Sequence, residues 1–431
     1  MTLKRLLILT GDPSADMHAA HIVDALRASC NASIDIHAVG GTHLQAKGTP
    51  LISDQSKMAR VGFGSVLGAF DHWRLGQKIL KHCQTWMPQA ILFIDYGVFH
   101  LWLASELKKR FKDRCPKLYY FIPPQVWATR RGRLNKIKRH IDHVFCIFPF
   151  EKALYEAEGI PVTYVGHPLS TQLPPAVSKE TFCQTFSAEH AADNNAIKNN
   201  ALDPKRPIIG IFPGSRHLEL DYLLAPMVKA AALIQAQKPP ESPEIQFVIA
   251  RSSHFKAEAF EKKLAEAIAQ IPASGSQQGQ SQPVFHVFEN ANHAILSMAD
   301  AVILASGTVT LEAAFYGTPL VLIYKLHPII YQIAVRLLQL PFIGLPNILC
   351  CIPDINRAMQ NSLPPVVPEF WQDRATPEAI AGSILPLLDP THAEHLRQKE
   401  AFQKIRQTMQ NSHQEAASVA VARALLDAFP E

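Results

Sequence analysis

The sequence lacks most of the short signatures that identify ligand-binding α/β proteins. No G-x-G-x-x-G is present, so the usual dinucleotide turn is excluded. No G-x-x-x-x-G-K-[ST] is present either, so phosphate is not held by a P-loop. The 19 histidines include no H-E-x-x-H, and the seven cysteines include no C-x-x-C. No metal or other cofactor is therefore expected, and the scattered thiols read as those of a reduced cytosolic protein. No uncharged apolar run reaches the roughly 20 residues of a membrane span. The apolar run after Lys4 and Arg5 is too short for a secretory signal. The net charge of +5 is too small to imply nucleic acid, but it suits anionic substrates or a membrane surface.

What is present is a long globular chain. Its 431 residues are 48% hydrophobic and 18% charged, enough for two or three domains with sizeable cores. Short β-rich runs alternate with helical patterns. Strands are predicted at 4–10, 33–39, 90–95, 117–122 and 143–148, then at 207–212, 245–250, 284–288, 301–305 and 319–324. Runs such as AILFID, PIIGIF, IQFVIA and AVILAS are apolar on both faces, as parallel strands covered by helices on each side must be. The fold class is α/β, with two doubly wound, Rossmann-like domains. Residues 1–170 form the first, 171–206 a polar linker, 207–375 the second, and 376–431 a helical segment that packs across domains or exchanges in a dimer. The polar stretch 272–283 reads as a loop, and the apolar stretch 329–350 as a buried or interfacial helix and loop.

Candidate chemistry sits where strands end. In IIGIFPGSRHLELDYLLAPMV, Gly214 permits close backbone approach, Ser215 offers a hydroxyl, and Arg216 carries a fork suited to phosphate. The plainer alternative is a helix cap with a surface arginine. In ADAVILASGTVTLEAAFYGTPLVLIYK, Ser306, Gly307, Thr308 and Thr310 crowd a helix start, and Glu312 follows on the first turn. Backbone N–H groups and the positive helix end make an anion pocket there, while Glu312 is placed to accept from sugar hydroxyls. A well-capped core helix is the alternative. Together the two turns suggest a nucleoside diphosphate site in the second domain. In the first domain, AILFID ends on Asp95, a natural general base toward a hydroxyl, or else a structural cap. Six Lys or Arg fall between 130 and 139, forming either a solvated face or one that meets anionic lipid. GFGSVLGAFDHW (62–73) is either core or a lipid-facing patch, and His167 in VGHPL either lines the cleft or is structural. The opening turn of Gly11 to Asp16 has no dinucleotide chemistry to explain it.

The ordered set GDPSAD, RVGFGSVL, LFIDYGVFH, IPPQVWATR, FPFEKALY, YVGHPL, FPGSR, ASGTVTLE, LIYK, LPNIL and VPEFWQ resembles the lipid-A-disaccharide synthase family over residues 3 to 425. The resemblance implies an inverting, metal-independent GT-B glycosyltransferase with two domains facing a central cleft. Its donor would be UDP-2,3-diacylglucosamine and its acceptor 2,3-diacylglucosamine 1-phosphate, giving the lipid A disaccharide 1-phosphate and UDP. It also implies a homodimer that is peripheral on the cytoplasmic face of the inner membrane, in contact with anionic lipid. Asp95 would be the catalytic base. Arg216 would meet the donor phosphate, with Gly214 and Ser215 beside it, and Ser306, Gly307, Thr308, Thr310 and Glu312 would bind UDP. Asp12, Ser14, Asp16, Trp127 and His167 are then read as acceptor-side or cleft-lining.

The departures from the family pattern cluster in the acceptor half. Asp12 stands for Glu, Ala15 for Gly, Ser65 for an acidic residue, Val98 for Asp, His100 for Asn and Thr129 for Trp. They keep two further readings open: a related UDP-sugar transferase or epimerase-like enzyme with another acceptor, and a catalytically silent UDP-sugar or lipid binder.

Overall fold

A computed structural model describes residues 4–29, 34–54, 66–126, 131–190, 202–239, 241–271, 282–326, 331, 342–351, 363–409 and 415–428. The chain folds into two units, Met1–Gln172 with Thr408–Glu431, and Leu173–Gln407.

The first unit holds a seven-stranded parallel sheet in the order β3-β2-β1-β4-β5-β6-β7. The strands are β1 (Lys4–Leu9), β2 (Ile34–Gly40), β3 (Leu51–Asp54), β4 (Ala90–Ile94), β5 (Lys117–Phe121), β6 (His143–Cys146) and β7 (Val162–Tyr164). Helices α1 (Pro13–Ser29), α2 (Thr42–Ala46), α3 (Val66–Trp86), α4 (Gly97–Phe111), α5 (Arg131–His140) and α6 (Pro149–Ala157) connect them. Every residue of β4 is buried, and Leu7, Ile91, Phe93, Leu118 and Tyr120 share one core with Leu103 and Leu107 of α4.

The second unit repeats the design with six parallel strands in the order β10-β9-β8-β11-β12-β13. These are β8 (Ile208–Phe212), β9 (Gln246–Arg251), β10 (Phe285–Glu289), β11 (Ala301–Ala305), β12 (Leu320–Tyr324) and β13 (Glu369–Trp371). Its site-bearing helices are α7 (His217–Gln237), α8 (Asn292–Met298) and α9 (Val309–Tyr316). The C-terminal region is helical, with α10 (Pro377–Ile384), α11 (Ala393–Thr408) and α12 (Ala417–Ala428). Buried Gln398 of α11 accepts from Leu320 N at 2.8 Å and donates to Leu320 O at 3.2 Å, tying that helix to β12. Helix α12 packs on α1 in the first unit.

The predicted strands are all present. Three more, β3, β7 and β13, lie at sheet edges and have only half-buried residues. An edge strand faces solvent on one side and lacks the two-faced apolar run that marks a central strand. The stretch 272–281 and most of 329–341 lie outside the described residues. LPNIL and VPEFWQ turn out to bind one another. Asn347 exchanges hydrogen bonds with Val367 at 2.8 Å each way and donates to Glu369 Oε1 at 2.7 Å. Glu369 also accepts from Ile343 N and Gly344 N, at 3.0 and 2.9 Å.

In both parallel sheets the strand order reverses once, between β1 and β4 and between β8 and β11. Open α/β sheets bind ligands beyond the carboxyl ends of the strands at such a reversal. At the first, the turn after β1 lies directly on the turn after β4, because Gly11 has no side chain and the Tyr96 ring fills the space. A methyl group at Gly11 would overlap that ring. Gly11→Ala is therefore expected to destabilise the first unit by about 1–3 kcal/mol, lowering its denaturation midpoint. An unchanged midpoint would show that the two turns do not touch.

Candidate active site

At the first reversal β1 ends and Asp12 caps α1, its Oδ1 accepting from Ala15 N at 2.8 Å. Pro13 is the first helical residue, where its fixed φ and missing N–H fit the helix start. Ser14 is exposed. Asp16 is buried, and its two oxygens accept from Gly41 N at 2.7 Å and His43 N at 2.8 Å. Its carboxylate thus fastens α1 to the β2–α2 turn and is spent on backbone.

Asp95 follows β4 with φ +51, and Tyr96 follows with φ +57. Two successive non-glycine residues in the left-handed region cost about 1–3 kcal/mol each and persist only where their surroundings hold them. Here the Asp95 carbonyl accepts from His100 Nδ1 at 2.7 Å and from Tyr120 Oη at 2.8 Å, while its N–H donates to Phe121 O at 3.1 Å. Tyr96 Oη lies 2.6 Å from His72 Nε2, and Gly97 packs on Pro124. Burial, and next the Asp12 charge, push the Asp95 carboxyl up to about 6, against a hydrogen bond from Tyr96 N–H that lowers it. A carboxyl with a pKa near the working pH is well matched to take a proton from a hydroxyl.

The neighbouring histidines are kept neutral. Burial lowers His100 to about 4, and lowers His18 to about 4 with help from His21. His167 is pushed down to about 3 by burial and by His18. It is buried against Phe148, and its Nδ1 accepts from Leu169 N at 3.2 Å. His18 Nδ1 is buried without a hydrogen-bond partner. Nothing in the pattern around His18 marked it, since an apolar helical face reads as core. Val98 is 57% exposed. Trp127, Thr129 and Ser65 lie outside the described residues.

The second reversal carries a cavity of about 320 Å³. One wall is the turn Gly214–Ser215–Arg216 after β8, and the other is Ser306–Gly307–Thr308 after β11. Phe212 of β8 pairs with Leu304 of β11, which fixes the two turns side by side. Gly214 has φ +105, and a Cβ there would overlap the Glu219 carboxylate. That carboxylate accepts from Ser215 N at 2.9 Å, from Arg216 N at 3.3 Å and from Arg216 Nη1 at 2.9 Å. The Arg216 side chain is 80% exposed, so its fork still faces outward. Glu312 lies on the first turn of α9, 4.0 Å from His293 Nδ1. Burial raises its pKa and His293 opposes the rise.

Gly214, Ser215, Arg216, Ser306, Gly307, Thr308 and Glu312 thus line one cavity. Thr310 does not, being fully buried with its hydroxyl donating to Gly307 O at 2.8 Å. It shapes the turn from behind. Glu219, Ser252 and Asn292 also line the cavity without having been singled out by pattern. Ser252 and Asn292 both follow the carboxyl end of a strand, and that position was the available signal. Backbone N–H groups at a helix start, an arginine fork and small hydroxyls suit a phosphate ester, and the half-buried Glu312 carboxylate suits sugar hydroxyls. Among the described residues no group of three or more His, Cys, Asp or Glu could hold a metal ion.

Comparison with known proteins shows the family and the fold. The family model described as Lipid-A-disaccharide synthetase matches residues 6–424. A lipid-A-disaccharide synthase of Coxiella burnetii (strain Dugway 5J108-111) is 33% identical over 390 residues, covering 90% of each chain. That of Geobacter metallireducens is 34% identical over 397 residues, covering 91% of this chain and 90% of its own. Among solved structures, UDP-GlcNAc 2-epimerase from Neisseria meningitidis bound to UDP-GlcNAc superposes with a TM-score of 0.55 at 12% identity, covering 98% and 100% of the two chains. Acinetobacter baumannii MurG gives 0.52 at 15% identity, covering 98% and 99%. These likenesses establish the GT-B fold class, an α/β fold with two doubly wound sheets.

The coupling of Asp12 to Asp95 is directly testable. Asp12→Asn keeps an acceptor for the α1 cap but removes the like charge, so the Asp95 pKa should fall below about 6, toward the ordinary carboxylate range. A carboxyl-carbon NMR titration reads this, and an unmoved titration would exclude Asp12 as a cause.

Proposed function

Because the chain belongs to the lipid-A-disaccharide synthetase family, we propose that it transfers 2,3-diacylglucosamine from its UDP derivative to 2,3-diacylglucosamine 1-phosphate. The products are the lipid A disaccharide 1-phosphate and UDP. The observation that carries the donor half is the cavity at the second reversal, where two turns and one arginine converge without a P-loop. The acceptor half is supported by Asp95, a carboxyl at the end of β4 raised to about 6.

In this mechanism Asp95 takes the proton of the acceptor hydroxyl as that oxygen attacks the anomeric carbon of the donor. The bond from that carbon to the diphosphate breaks, and its electron pair leaves with UDP. Attack opposite the leaving group inverts the anomeric centre. Arg216 and the N–H groups opening α9 stabilise the charge that builds on the diphosphate, the role a metal ion plays elsewhere. Glu312 accepts from ribose hydroxyls. Metal independence is part of the proposal.

Asp95→Asn is expected to abolish turnover while leaving UDP affinity within about twofold, and EDTA should leave wild-type turnover unchanged. Arg216→Ala should weaken UDP binding about 10- to 100-fold, the loss of a charged hydrogen bond. Calorimetry and steady-state rates check these together. Near-normal turnover of Asp95→Asn would remove it as the base.

The acyl chains of both substrates place the reaction at a membrane, and we infer a peripheral site on the cytoplasmic face of the inner membrane. No described helix is long and apolar enough to cross one. The support is in the first unit. Phe70 and Trp73 of α3 are 55% and 51% exposed with their rings stacked, and α5 adds Arg133, Lys136, Lys138 and Arg139. Aromatic anchors with basic residues favour an anionic interface. A homodimer belongs to the same inference. The protein should float with anionic liposomes at low salt, and Phe70→Ser/Trp73→Ser should at least halve the bound fraction. Sedimentation should give about twice 47.8 kDa. Failure to float, or a monomer mass, would count against each inference in turn.

A further inference from the structure

The grip on Asp95 is on its backbone. Two side chains from different elements, His100 of α4 and Tyr120 of β5, donate to the one Asp95 carbonyl at 2.7 and 2.8 Å. Both side chains are buried, at 1% and 0% exposure, so neither reaches a substrate. The residue they hold is the first of two successive left-handed residues. Such a conformation relaxes unless something holds it, and relaxation would re-aim the carboxylate.

His100 suits the task chemically. A carbonyl only accepts, so the 2.7 Å contact requires hydrogen on Nδ1. Its burial keeps the ring neutral, and the fixed contact selects the tautomer. The His100 N–H also donates to Tyr96 O at 3.2 Å, so one residue closes the first turn of α4 and fastens the strained pair before it. Tyr120 comes from the neighbouring strand, and Phe93, paired with it in register, lines the same wall. The carbonyl is thus held from the helix and from the sheet at once.

We propose that His100 and Tyr120 are positioning residues that set the direction of the Asp95 carboxylate by fixing its carbonyl. The proposal rests on Asp95 being the base. A loss of aim by about 1 Å lowers the chemical step by up to about a hundredfold without weakening binding elsewhere. His100→Leu should lower kcat about 10- to 100-fold, with UDP affinity and donor KM within about twofold. His100→Asn, which restores an N–H donor at similar reach, should recover most of the rate. Tyr120→Phe removes only a hydroxyl and should lower kcat about three- to tenfold with the same KM. It carries the test if His100→Leu does not fold.

The measurements are kcat and KM with both diacylated sugars, UDP calorimetry and the melting temperature, run beside Asp95→Asn. An inactive Asp95→Asn together with fully active His100→Leu or Tyr120→Phe overturns the positioning role alone. A fully active Asp95→Asn overturns the base and this role together. Equal losses in His100→Leu and His100→Asn would assign the effect to ring packing and also overturn it.

Discussion

The first unit depends on a pair of left-handed residues. Asp95 and Tyr96 turn the chain sharply where β4 meets α4, and what surrounds them exists to hold that turn. His100 and Tyr120 take the Asp95 carbonyl, Gly11 gives up its side chain to the Tyr96 ring, and Gly97 does the same for Pro124. The outcome is a carboxyl at the sheet reversal, buried enough to titrate near 6 and close enough to Asp12 to feel its charge. Strain, burial and like charge all converge on one group, the combination expected of a working site rather than a structural one.

The second unit solves a different problem at the equivalent place. In the proposed reaction it holds an anion, with neither a P-loop nor a metal cluster among its described residues. Its first turn is stiffened by Glu219, which satisfies two backbone N–H groups and one guanidinium nitrogen. Its second turn is braced by the Thr310 hydroxyl on Gly307. The Thr310 brace works from behind, whereas Glu219 itself lines the cavity beside Ser215, Arg216, Ser306 and Thr308. Glu219 adds a negative charge beside the cavity proposed for the diphosphate. The outward-facing remainder of the Arg216 fork and the α9 start must outweigh it.

Much of this is legible in the sequence. Buried parallel strands declare themselves by apolar runs, and polar or small residues at their carboxyl ends mark the turns that matter. Asp95, Arg216 and the 306–308 turn are singled out that way, and all of them follow strand ends in the structure. Edge strands β3, β7 and β13 escape because solvent on one side dilutes their pattern. Support residues escape for two reasons: Tyr120 reaches Asp95 only across the fold, from 25 positions away, while His100 and Glu219 act locally, on backbone groups three to five residues away, and their residue types do not announce such a role. Residue type also misleads about role. Asp16 and Thr310 look like ligand contacts because they are polar and lie in motif-rich turns, yet both are spent on backbone. LPNIL and VPEFWQ, separated by about 20 residues, are halves of one structural lock between Asn347 and Glu369. The substitution at Asp12 resolves into an ordinary helix cap, with Pro13 as the first helical residue.

The central claim is that one chain joins two acylated glucosamines at the expense of a UDP bond. The most direct measurement is mass spectrometry of the products formed by the purified protein from UDP-2,3-diacylglucosamine and 2,3-diacylglucosamine 1-phosphate. Plain UDP-GlcNAc is supplied in parallel. The account predicts one disaccharide 1-phosphate for each UDP released, with plain UDP-GlcNAc left unchanged. UDP release without disaccharide, epimerised UDP-GlcNAc, or bound but unreacted donor would contradict it.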